Sequence, residues 1–166
     1  MKNSTTYEKI IFTTLIISLL MLLFIYTSVS KFLDYDKFVF QMRLAPVPLM
    51  KILAPALGWL VPGIEMLIAI GLAAGFFYPN LRIMALYSSV ILLIIFEIYI
   101  GTMLLSGSHL PCTCGGIISK MGWQQHLLFN AFFIITGIIS IRFLPKKKLS
   151  INDLYTQTPY KDLSRA

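Results

Sequence analysis

Residues 83–105, IMALYSSVILLIIFEIYIGTMLL, decide the fold. A single charged side chain, Glu97, interrupts the whole stretch. A bilayer core about 30 Å thick is crossed by about 20 helical residues. In lipid each segment must satisfy its own backbone, which selects helix over a lone strand. Working outward, three further runs have the same character. Ile10 to Val29 carries no charge, and Ile52 to Phe77 carries Glu65 alone. Trp123 to Ile141 carries none, His counted neutral. Each run is long enough for one crossing. The expected fold class is therefore all-α, a four-helix transmembrane bundle.

Composition agrees. Of 166 residues, 57% are apolar and 13% charged, where a soluble domain carries about 25% charge. Mean hydropathy is +0.79. A net charge of +7 would suit a nucleic-acid binder, but the positive residues flank the apolar runs, where they orient membrane helices. No nucleic-acid role is expected. No phosphate loop, dinucleotide fingerprint, Ser/His/Asp pattern or CxxC is present, so nucleotide and hydrolase functions fall away.

The first run resembles a signal peptide in having Lys2 and Lys9 before it and Ser28-Val29-Ser30 at its end. It is longer than the usual hydrophobic region of about 7–15 residues, so it is read as an uncleaved helix. Helices are expected at about 10–30, 53–77, 83–105 and 123–143, within a membrane domain spanning 10–144. Residues 1–9 form the N-terminus and 145–166 a polar tail. With four spans, nine Lys and Arg (Lys2, Lys9, Arg82, Arg142, Lys146, Lys147, Lys148, Lys161, Arg165) share the side of the termini. Five (Lys31, Lys37, Arg43, Lys51, Lys120) lie opposite. The excess places both termini in the cytoplasm. Residues 30–51 and 106–122 then face outward, and the expected location is a bacterial inner membrane, with lipid as the first partner.

The outer segment 106–122 holds the only two thiols, in His109-Leu110-Pro111-Cys112-Thr113-Cys114-Gly115-Gly116. An exported position is an oxidising one. A ring closed by Cys112 and Cys114 would be strained and easily reduced, and it would gain little stability from closing so short a loop. That favours a redox-active dithiol. A soft metal site for Cu(I) or Zn stays open, with His109, His126, Met103 or Met121 as further ligands. So does a plain structural role.

Glu65 and Glu97 are intramembrane acids, each costing about 2.5–3.5 kcal/mol on insertion scales. Antiparallel neighbours bring them to comparable depth, with no Lys or Arg expected there. Two close carboxylates resist sharing charge, so at least one is expected neutral. They read equally as a proton relay, as anchors for a quinone or metal, or as polar glue between helices. Tyr26, Thr27, Tyr99, Gln125, His126 and Asn130 cluster toward the same end. That end should be the wetter half of the bundle, with a cavity beneath the Cys segment. Trp123 and His126 are expected at the interface. Pro62 should bend its helix and open room around Glu65. The glycines from Gly58 to Gly75 are read as close packing.

Four helices, Pro62-Gly63-Ile64-Glu65 followed by Gly71 and Gly75, and a late outer Cys-x-Cys-Gly-Gly loop together resemble the MauE branch of the DoxX-like membrane proteins. The resemblance covers about residues 7–144. It implies a redox-associated, methylamine-utilisation type of protein, linked to disulfide formation or maturation of exported proteins beside thioredoxin-like partners. From the residues themselves, Cys112 and Cys114 are expected to exchange thiol and disulfide, while Glu65 and Glu97 carry protons or line a cavity for a quinone as candidate cofactor. The alternative is a non-enzymatic subunit that scaffolds or delivers a soft metal through Cys112, Cys114, His109 and His126.

Overall fold

The computed structural model describes residues 2–45, 48–105 and 122–144. Every element in them is helical: α1 Lys2–Leu33, α2 Tyr35–Leu44, α3 Met50–Ala74, α4 Pro79–Leu105 and α5 Trp123–Phe143. The first and the last three are long and apolar enough to cross a membrane. Helix α1 packs on α3, α3 on α4, α4 on α5, and α5 back on α1, which closes a four-helix bundle.

The outside is greasier than the inside. Leu22, Trp59, Leu67, Ile98 and Ile135 are exposed, while Ser28, Glu65, Ser89 and Ser140 are fully buried. Such a surface suits lipid, and two of the buried hydroxyls find internal acceptors. Ser28 Oγ donates to the Pro62 carbonyl at 2.8 Å, joining α1 to α3. Ser89 Oγ donates to the Ala85 carbonyl one turn back at 2.7 Å. One half of the bundle is dry, filled by Ile17, Leu20, Phe24, Ile68, Leu72, Leu86, Leu93 and Phe133.

Helix α2 is an addition to the expected architecture, lying in the segment read as an outer connection. It is too short to cross a bilayer, so hydropathy gives no signal there. Its periodicity does: Phe38, Val39 and Met42 recur at helical spacing and pack with Ala54, Met50 and Leu57 of α3, while Asp36, Lys37, Phe40 and Arg43 face out. Seating α2 requires Gly58. A Cβ there would lie 2.5 Å from Val39 Cγ2 and 2.7 Å from Tyr35 Cε2. Gly75 serves the α3–α4 turn in the same way, since its Cβ would meet the Arg82 backbone at 2.7 Å. Helix α3 runs through both Pro55 and Pro62, and the Pro55 carbonyl accepts from Tyr35 Oη at 3.1 Å. Between Pro48 and α3, Leu49 adopts φ 69°, a left-handed conformation rare for a residue with a branched side chain.

Candidate functional site

The half of the bundle nearest α2 is not filled by side chains. A cavity of about 210 Å³ lies there, bounded by all five helices. Its walls are apolar, with Leu23 and Phe24 from α1, Phe38 and Met42 from α2, Leu57 and Val61 from α3, and Phe96 and Ile100 from α4. Six polar side chains reach it: Thr27, Lys31, Glu65, Tyr99, His126 and Asn130.

The centre of this group overturns the expectation that no basic residue lies at the depth of the acids. Lys31 Nζ donates to Glu65 Oε1 in an ion pair almost wholly withdrawn from solvent. Hydropathy ends the first run before Lys31, but the helix continues to Leu33. Lys31 stands two turns after Phe24, on the face that enters the bundle. Its aliphatic stem suits apolar walls, and its ammonium lies 5.7 Å from the Phe38 ring centroid and 5.2 Å from that of Phe96. Two aromatic faces and a carboxylate together replace part of the lost hydration.

Three atoms around the pair are buried without a hydrogen-bond partner among protein atoms: Glu65 Oε2, His126 Nδ1 and Asn130 Nδ2. His126 and Asn130 are 6% and 4% exposed. His126 thus leaves the interfacial position expected of it and turns inward, one turn into α5 and beside the Lys31 charge. Glu97 does not join Glu65. It sits at the partly exposed edge of α4, with Asn130 beside its carboxyl and its Oε2 buried and unpartnered. Of the other polar residues expected at this end, Thr27 and Tyr99 line the cavity, while Tyr26 lies on the outer surface. Gln125 is exposed, and its Oε1 accepts from the Gly122 amide at 3.2 Å, capping the start of α5. Met103 is buried packing, 1% exposed.

Cys112, Cys114, His109 and Met121 lie outside the described residues, within the segment joining α4 to α5. Among the described residues no three His, Cys, Asp or Glu side chains gather to hold a metal ion. The ammonium beside His126 also opposes a metal cation at that imidazole.

A dry half, a polar half and four spanning helices fill most of the chain. A family model described as methylamine utilisation protein MauE matches residues 9–143. The chain belongs to the MauE family. No curated protein and no solved structure matches it. The MauE match takes in every membrane span and the whole cavity, including Lys31, Glu65, His126 and Asn130. It leaves the DoxX-like placement resting on the sequence motifs alone. Sequence reasoning missed Lys31 as a site residue. The signal that would have found it is its helical phase with Phe24 and Ser28.

Proposed function

We propose that this multi-pass membrane protein serves methylamine utilisation by exchanging thiol and disulfide equivalents with an exported, thioredoxin-like partner through Cys112 and Cys114. The observation that carries the reading is the polar cavity end. Lys31, Glu65, His126 and Asn130 converge near the helix ends from which the Cys segment departs, since Tyr99 and Ile100 lie late in α4 and His126 early in α5. MauE membership supports the methylamine-utilisation setting. The Lys and Arg distribution supports cytoplasmic termini and a periplasmic Cys segment in a bacterial inner membrane.

In the exchange, one thiolate attacks a sulfur of the partner disulfide. A mixed disulfide forms and the partner's other sulfur leaves as thiolate. The second cysteine then attacks the mixed bond, closing Cys112–Cys114 and releasing the partner reduced. The reverse sequence oxidises the partner. Each thiol loses a proton on becoming a thiolate, and Glu65 with His126 offers buried acceptors for it. Glu97, at the bundle's edge beside Asn130, connects that cluster to the surface.

Single Cys112→Ser and Cys114→Ser variants, run on non-reducing gels from cells, test the reading. The variant lacking the resolving thiol should trap a disulfide-linked partner. Absence of an adduct in both, with stoichiometric copper or zinc on the purified wild type, would replace this reading with metal delivery.

A further inference from the structure

The cavity borders the lipid-facing surface of the bundle. Ile95, 54% exposed on α4, lines it and also lines a second depression of about 460 Å³ on the lipid-facing side between α3 and α4. That groove follows Ile91, Ser88 and Met84 of α4 against Ile64, Leu67 and Gly71 of α3, and ends at Leu81. At 1.5 Å of rise per residue, the helix from Leu81 to Ile95 covers about 21 Å. Gly71 keeps the groove floor low, with only the Ala85 Cβ near it. Ile95 is thus a shared wall between a compact chamber with a polar end and a long apolar groove facing lipid.

We propose that chamber and groove form one site for a lipid-soluble quinone, with the ring in the chamber and the isoprenoid tail along the groove. An apolar cavity of about 150 Å³ holds a benzene ring, so about 210 Å³ takes a substituted single ring. Quinone carbonyls only accept hydrogen bonds, whereas hydroquinone hydroxyls also donate. The unpartnered atoms serve both states. Asn130 Nδ2 donates, Glu65 Oε2 accepts, and His126 Nδ1 does either according to its tautomer. A fatty acid fits the groove, but its carboxylate would face Glu65 Oε2.

Ring binding stands on this geometry alone. Its role as electron acceptor rests on the thiol reading above. There, the thiols of Cys112 and Cys114 give up two protons and two electrons as the S–S bond forms. The two quinone oxygens take up both, leaving hydroquinone.

The full chain in quinone-free lipid nanodiscs should bind a decyl-tailed dimethoxybenzoquinone saturably, one per chain, by titration calorimetry. Asn130→Leu should weaken it about tenfold through the lost buried hydrogen bond. Ser88 is exposed, so Ser88→Phe leaves the core untouched. It should weaken the decyl compound several-fold while leaving the tail-less ring unchanged. The Cys112→Ser/Cys114→Ser double variant should bind like wild type yet fail to reduce the quinone when given a reduced partner. No saturable binding by the wild type, or equal effects of Ser88→Phe on both compounds, overturns the proposal. Normal binding with no thiol-dependent reduction in wild type overturns the thiol reading and leaves the site standing.

Discussion

Lys31→Met is the most informative perturbation of the bundle. Methionine matches much of the lysine stem and keeps contact with Phe38 and Phe96 while deleting the charge. Glu65, fully buried, then loses its paired cation and must stay ionised alone or take up a proton. Removing one partner of a buried pair costs about 3–5 kcal/mol, whereas replacing both with apolar groups of similar size is often neutral or stabilising. The bundle supplies its own control. Lys37 pairs with Asp34 at 2.9 Å with side chains 70% and 41% exposed, and such a pair contributes about 0.2–1 kcal/mol. Lys31→Met should therefore destabilise the purified protein by at least about 3 kcal/mol in a reversible denaturant titration, against under about 1 kcal/mol for Lys37→Met. Adding Glu65→Leu to Lys31→Met should recover most of the loss. Equal costs for the two lysine variants, or a double variant worse than Lys31→Met alone, would refute the claim that the pair is buried and coupled.

Other consequences are as direct. Gly58→Val places a branched side chain where Val39 and Tyr35 already sit. It should cost about 1–3 kcal/mol by overpacking in the same titration, with partial recovery on adding Val39→Ala. Glu65→Gln, which leaves the Lys31 ammonium without its counter-charge, should cost about 3–5 kcal/mol and slow partner oxidation in whatever protein still folds. If Glu65→Gln and Glu97→Gln both keep full turnover, the acids are packing elements and not proton carriers. A membrane-impermeant maleimide should label reduced Cys112 and Cys114 in intact cells, and labelling seen only after lysis would invert the proposed topology.

The four spans were legible because lipid imposes a length requirement that few sequences meet by chance. Helix α2 was not, because so short a helix beside the spans answers to packing against α3 and not to the bilayer. The acids were legible as site residues, but not their fates. Glu65 and Glu97 have the same chemistry and similar flanks, and only the rotation of each helix decides which faces Lys31. Lys31 itself escaped because hydropathy ends a span at its first charge, whereas a long amphipathic side chain lets a helix carry that charge inward. The polar cluster was half legible. Thr27, Tyr99, His126 and Asn130 do converge, while Tyr26 and Gln125 lie on other faces.

The buried ion pair also bears on how the chain is made. During synthesis α1 enters the membrane before α3 exists, so Lys31 must first rest near the headgroups, where a lysine is tolerated. Helix α3 then arrives carrying Glu65, at an insertion cost of about 2.5–3.5 kcal/mol if it partitions alone. Pairing with Lys31 offsets that cost only if α1 is still beside the insertion channel. Biogenesis should accordingly treat α1 through α3 as one cargo, released sideways into lipid together, with α2 laid down as the hinge between them.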